Sequence, residues 1–424
     1  MDLGGSGNSQ ITGLATLAGD ILAIGSFEGE AFLGSQRLVS SGEQDVLVAR
    51  IAPDTQVRWI RHWGGPGFDS GDAVESGADG SLLVVGSVTG TVDWDGTILS
   101  GDDSSDCFVA KLRGEDGQTQ WVRRFGGTGS AACRSVALDR AGNVYVTGRF
   151  EGEIDLGSGP RTSGGANDLF MAKLSGRDGT PLWGLIKGGV GDDIGRDVAV
   201  APSGILLLTG HFSSGAEPSL GALSCAGSPL ISAGDSDAVL AAFRDFGQCI
   251  WARAIGERNF DMAKSVVAAP DGTLFLTGLS QGDVTVQPGE LLFSAGGFQG
   301  FVMHTSEEGQ EIWRRRYPAM TSGHALTLMP SGDLAMVGHF TSTLDLGAGQ
   351  KLQSWGGNDA AVVMFSADGD VHWADHLGGP GADYGYAVTA FAEGVAVGGM
   401  MEEVLAWDAS KPRSHGFIAG YRLH

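Results

Sequence analysis

Arg134-Ser-Val-Ala-Leu-Asp139, then Ala141-Gly-Asn143, then Val144-Tyr-Val-Thr147 closed by Gly148, is the stretch that decides the fold. An alternating apolar run, a turn and a β-branched run read as two short antiparallel strands. Downstream, beyond a long Gly/Ser/Asp-rich connection, the pattern resumes. Leu169-Phe-Met-Ala-Lys-Leu174 is a third run, Gly176-Arg-Asp-Gly179 a turn, and Pro181-Leu-Trp-Gly-Leu-Ile186 a fourth. Four short strands split by turn residues make one meander. No segment shows a sustained 3.6-residue apolar period with caps, so almost no helix is expected.

The same order returns along the whole chain. Trp59, Trp121, Trp183, Trp251, Trp313 and Trp373 mark the repeat at intervals close to 62 residues, and Gly-Gly pairs follow at 64–65, 126–127, 188–189 and 378–379. The strands carry bulky apolar residues on both faces, and one four-stranded sheet cannot bury both. Sheets packed face to face around an axis can, and a closed ring leaves no terminal sheet exposed. The expected fold is therefore all-β: a single seven-bladed β-propeller over residues 1–424, built from four-stranded antiparallel blades. The blade bounds are 4–63, 64–125, 126–187, 188–254, 255–316, 317–377 and 378–424. The last blade is incomplete at the C-terminus. Either Met1–Leu3 supplies its missing strand, or it is one strand short.

Composition sets the outer bounds. The chain has 424 residues, of which 71 are Gly, and 42% are hydrophobic. Glycine is well above the ordinary ~7%, but no G-X-Y period accompanies it, so collagen is excluded. The hydrophobic content excludes general disorder. No run of eighteen apolar residues occurs, so no membrane-spanning helix is expected. A formal charge of −23 argues against non-specific nucleic-acid binding.

The repeat Gly-Gly-x-Gly-x-Asp … Gly-Asn-Val-Tyr-Val-Thr-Gly-x-Phe … Asp-x-Phe-Val-Ala-Lys-Leu … Trp resembles the SBBP repeat of bacterial seven-bladed propellers, abundant in myxobacteria. Val144–Phe150, Asp106–Leu112, Asp168–Leu174 and Gly378–Val388 carry the likeness. It covers nearly the whole chain. Blades five and six depart most, with Gln299-Gly300 in place of the Asn-Asp before the third strand. The resemblance implies a secreted, periplasmic or cell-surface protein and no common catalytic motif; the chain itself shows no signal peptide. It implies a non-catalytic binding scaffold for a protein partner or glycan, held at the channel mouth. The alternatives are a carbohydrate-active hydrolase or lyase in the central channel, and a structural subunit of a surface assembly.

Two rings of side chains are candidates for the site. Aligned on the first strand, one homologous position carries Thr12, Asp72, Arg134, Arg196, Lys264, His324 and Tyr386. First strands line a propeller's channel, so Arg134, Arg196, Lys264, His324 and Tyr386 form a candidate anion site. The competing reading is inter-blade ion pairing. Three residues earlier stand Asp69, Asp193, Asp261 and Asp383, an acidic ring expected at the same mouth. Arginines near the repeat tryptophans (58, 61, 123, 124, 253 and 314–316) read as charged edges that discourage sheet-to-sheet pairing. Acidic turns such as Asp102-Asp103 lack the alternating ligands of a calcium loop, so no cofactor or metal is expected beyond adventitious calcium. His211 and His339 occupy homologous strand ends, which points to repeat structure. Four cysteines are too few for a disulfide scaffold. Cys225 and Cys249 fall at opposite ends of a meander, out of bridging reach unless an insertion folds back.

Overall fold

The computed structural model describes residues 1–102, 104–213, 224–225, 228–281, 284–287, 290–292, 297–403 and 413–422. Among these residues every regular element is a strand. Five four-stranded antiparallel sheets follow one another along the chain, each a meander of consecutive long strands. One comprises Ala131–Leu138, Val144–Phe150, Asp168–Leu174 and Pro181–Lys187. These are the four runs expected from the sequence. An eight-stranded sheet joins the two ends of the chain. It contains the first meander (Ser9–Leu17, Asp20–Leu33, Gln36–Ile51, Val57–Trp63) and the last (Tyr384–Phe391, Gly394–Glu403, Arg413–Arg422).

The strand Asp2–Gly5 links the two meanders. It pairs with Arg413–Arg422 through Asp2↔Phe417 and Leu3↔Gly416, and with Asp20–Leu33 through Leu3↔Leu33. Leu3 is 1% exposed. The last meander has three strands of its own, and its fourth is drawn from the opposite end of the sequence, the first of the two alternatives the sequence left open. Leu3 supplies the buried apolar contact that makes so short a strand hold.

Packing between sheets follows from the period of two in each strand. Leu82 and Val84 face the preceding sheet, against Leu22, Ile24, Val46 and Val48. Their neighbours Leu83 and Val85 face the following one, against Val136, Val144, Val146 and Phe170. Both faces of one sheet are thus core. The first strands complete the arrangement. Ser9–Leu17, Ser70–Ser76, Ala131–Leu138, Ile194–Val200, Asp261–Ala268, Met320–Leu328 and Tyr384–Phe391 each neighbour the next, and the last neighbours the first.

The repeat tryptophans pin each outer strand to the next sheet. Indole N–H groups of Trp59, Trp121, Trp183 and Trp313 donate to the carbonyls of Gly114, Gly176, Asp245 and Ala367. Gly117 shows why the receiving turn needs glycine. Its φ is +71°, and a Cβ there would lie 2.8 Å from the Trp59 ring. The arginines beside these tryptophans do more than guard an edge. Arg61 and Arg253 also donate to carbonyls of that turn, Asp116 and Glu308.

Two disulfides are present, and all four cysteines are paired. Cys225–Cys249 is the case the sequence left open, an insertion folding back to bring the two within reach. Their Cα atoms are 5.4 Å apart because the second-to-third connection does not stay at its end of the sheet. It folds back as a ribbon, Ser224–Cys225 with Ser228–Pro229, onto the outer strand Cys249–Ile255. Comparable ribbons occur at Val92–Trp94 with Thr97–Leu99 and at Glu153–Asp155 with Pro160–Thr162. In the former, Trp94 is wholly buried and stacks on Trp63 at 4.4 Å. Cys107–Cys133 ties a third strand to the first strand of the next sheet.

Candidate functional site

The seven first strands surround one cavity of about 1090 Å³. It runs from the level of Thr12, Asp72, Arg134, Arg196, Lys264, His324 and Tyr386 to the turns at Asp79, Ala141-Gly142 and Pro330. The homologous position singled out in the sequence is thus the channel lining in all seven strands.

A backbone device puts it there. In each of the seven first strands the ladder register shifts across that one residue: Ile11/Gly13, Gly71/Ala73, Cys133/Ser135, Gly195/Asp197, Ala263/Ser265, Gly323/Ala325 and Gly385/Ala387. Each is a β-bulge, whose extra residue is left out of the ladder and whose side chain is re-aimed. A bulge leaves no composition signature, so sequence alignment found the position but not the reason for it.

The ring is uneven. Arg134 donates to Asp72 Oδ1 at 2.6 Å, the one ion pair within it. Arg196 makes no ion pair among the described residues, and its Nε is buried without a partner. Burial, then the neighbouring Arg134 and Arg149, brings its pKa down to about 10. Lys264 Nζ lies 3.1 Å from His324 Nε2. Burial first, and Arg196 second, lowers Lys264 to about 7. His324 is pushed well below the imidazole range by burial and then by Lys264, so it is neutral and accepts from the lysine. The result is an arc of Arg134, Arg196 and Lys264, backed by Arg149, facing a single carboxylate.

Past His324 the lining is aromatic. Tyr386 meets His324 edge-on at 5.2 Å and stacks on Tyr384 at 6.0 Å. Farther down the channel stand Thr16, Ser76, Thr327, Thr389 and Glu75. Burial lifts Glu75 to about 7, with Asp197 adding to the rise. Asp197 is raised by burial, but it is engaged: it accepts from Ser135 Oγ at 2.6 Å and from Val266 N at 2.8 Å. These bonds staple three successive first strands.

The acidic ring lies elsewhere. Asp69, Asp193, Asp261 and Asp383 are all at most 3% exposed and do not line the cavity. Each accepts a backbone N–H of the loop leading into its own strand: Gly65, Gly189, Glu257 and Gly379, at 2.6–2.8 Å. Short polar side chains that bond nearby backbone are turn-formers, which is the role here. A second buried aspartate sits beside each one: Asp45, Asp168, Asp237 and Asp359. The junction glycine fills the remaining space, since a Cβ on Gly188 would lie 2.3 Å from Asp168 Oδ1. Burial raises Asp69 and Asp261 to about 6 and Asp193 to about 7. Among the described residues no group of three or more His, Cys, Asp or Glu is placed to hold a metal, and no helix is long and apolar enough to cross a membrane.

Residues 120–149 match the family SBBP, described as a beta-propeller repeat. No curated protein sequence matches the chain. Among solved structures, the WD40 beta-propeller domain of Doa1 is 12% identical, with a TM-score of 0.48, covering 98% of this chain and 95% of that one. Quinohemoprotein alcohol dehydrogenase from Comamonas testosteroni is 10% identical, with a TM-score of 0.47, covering 98% of this chain and 75% of that one. A protein of unknown function from Bacteroides caccae is 12% identical, with a TM-score of 0.38, covering 73% and 82%. The repeat match and the succession of four-stranded sheets define the class: the chain is a β-propeller repeat protein.

Proposed function

We propose that the chain is a closed seven-bladed propeller acting as a non-catalytic binding module, with an oxyanion as the group it recognises in the channel. The blades are those read from the sequence, with Asp2–Gly5 as the outer strand of the seventh. The observation that carries the reading is the under-compensated arc of Arg134, Arg196 and Lys264, which shares the single carboxylate of Asp72 and leaves Arg196 without an ion pair among the described residues. Buried cations without counter-charges are costly, and an incoming carboxylate, phosphate or sulfate offsets that cost. Guanidinium forks suit such groups. On a molecule of charge −23 the arc is also a local reversal of sign, which focuses anions from solution. The four aspartates that would have served a hydrolase or lyase are spent on loop backbone, which favours binding over catalysis. The pairing of all four cysteines supports maturation in an oxidising compartment: extracellular, periplasmic or cell-surface.

Calorimetry and thermal shift with phosphate, sulfate and small carboxylates test the proposal. A ligand of the native state at a hundredfold its Kd adds about 2.7 kcal/mol to stability. The expected result is stabilisation by oxyanions that disappears in Arg134→Ala/Arg196→Ala. Absence of any oxyanion effect on the wild type would overturn it.

A further inference from the structure

An inorganic oxyanion would use the cationic arc and leave the rest of the channel idle. The cavity, at about 1090 Å³, lies just above the ~300–1,000 Å³ range of small-molecule sites. Three features beyond the arc describe what fills it. First, Tyr386 lines the channel next to His324, at the end of the cationic arc, and its ring is braced by neighbours. Tyr384 stacks on it nearly parallel, at 10°, and His339 meets Tyr384 edge-on at 4.7 Å. Second, the wall below is mixed, with hydroxyl side chains set among apolar ones such as Leu14, Leu138, Val200 and Leu328. It offers the hydroxyls of Thr16, Ser76, Thr327 and Thr389 from four different strands. Third, Glu75 stands among them. With its pKa near 7 it is largely protonated under mildly acidic conditions, and a protonated carboxyl both donates and accepts.

From the juxtaposition of a cationic arc, a braced tyrosine face and a belt of hydroxyls, we propose that the channel binds an acidic sugar, a hexuronate unit free or at the end of a chain. Its carboxylate sits on Arg134, Arg196 and Lys264. The C–H face of the pyranose lies on Tyr386, whose ring face is the negative side of its quadrupole. The sugar hydroxyls exchange hydrogen bonds with the threonine and serine belt. This ligand deepens the oxyanion reading and rests on it.

The experiment is calorimetry with galacturonate, trigalacturonate, galactose and sulfate against the wild type, Arg196→Ala, Tyr386→Leu and Tyr386→Phe, each first shown by circular dichroism to be folded. The expected wild-type order is uronates at least tenfold tighter than sulfate, with galactose weakest. Arg196→Ala weakens sulfate and uronate alike. Tyr386→Leu leaves sulfate within twofold and weakens uronate at least tenfold, while Tyr386→Phe retains it. Equal affinity for sulfate and galacturonate, or indifference to Tyr386→Leu, overturns the sugar assignment and leaves the oxyanion reading intact. Failure of every anion, sulfate included, overturns both.

Discussion

Leu3→Ala is the sharpest test of how the two ends of the chain are joined. Leu3 belongs to a four-residue strand, and short terminal segments ordinarily contribute little. Here the side chain is 1% exposed and packs with Phe27, Ala31 and Leu33 of one meander and Ile418 of another. The substitution removes three carbon groups, about 2.4 kcal/mol at ~0.8 kcal/mol each. A buried Leu→Ala change also leaves a cavity that the surroundings only partly fill, and measured costs run ~2.7–5.0 kcal/mol. The expected loss is therefore about 3 kcal/mol. Urea unfolding with the disulfides intact, read as a shift in midpoint at unchanged slope, measures it. Ile98→Ala is the control: that residue is 56% exposed on an outer ribbon, and its change should stay within ~0.5 kcal/mol. A Leu3→Ala protein as stable as the control would refute the reasoning, because the strand Asp2–Gly5 would then not be docked between the two meanders.

Other outcomes follow from the same structure. Cys107–Cys133 closes a 26-residue separation, so Cys107→Ser/Cys133→Ser should cost roughly 3.5 kcal/mol in the chain-entropy account, while thiol titration of the unreduced wild type should find no free cysteine. Gly188→Ala drives a methyl against Asp168 Oδ1 and should destabilise by about 1–3 kcal/mol, whereas Gly80→Ala meets nothing and pays only for its φ of +77°. Asp193 binds its proton at about 7 in the folded chain and near 3.8 unfolded. Its contribution to stability is therefore full below about pH 3.8, falls as pH rises and is gone above 7, so the stability gap, taken as wild type minus Asp193→Asn, should grow on acidification from pH 8 to pH 5. A gap that narrows over that range would contradict the raised pKa.

The frame was legible because it repeats. The alternation at Val144–Phe150 and Asp168–Leu174, the tryptophan spacing and the turn glycines each specify a local structure, and all agree. The ring position of Arg134, Arg196, Lys264, His324 and Tyr386 was legible for the same reason, since homologous positions in a repeat share an environment. What escaped was set by neighbours distant in sequence. Asp69 and Asp193 have the same spacing as the channel residues, yet they end the junction loops, one residue before Ser70–Ser76 and Ile194–Val200, and loop N–H groups claim them. The ribbon that carries Cys225 back onto Cys249 lies in a stretch whose composition says only "connection". Cys107 and Cys133 face one another because adjacent sheets turn alternate residues together, a rule the strand pattern contains once the two strands are known to be neighbours. Trp94 lies in a connection outside the four-strand repeat pattern, and its stack on Trp63 joins two sheets.

The seven bulges have a consequence for how such a protein can change. A bulged residue sits outside the hydrogen-bond ladder and its side chain lines the channel, so its identity is less tied to the packing between sheets than that of a core residue. Thr12, Asp72, Arg134, Arg196, Lys264, His324 and Tyr386 put six residue types at one position, while the repeat tryptophan recurs unchanged at 59, 121, 183, 251, 313 and 373. Selection can therefore rewrite the lining one residue at a time, exchanging a basic arc for an acidic or apolar one, while the core stays as it is. Duplicating a blade copies the socket along with the fold, and divergence then needs to edit only the residue in it.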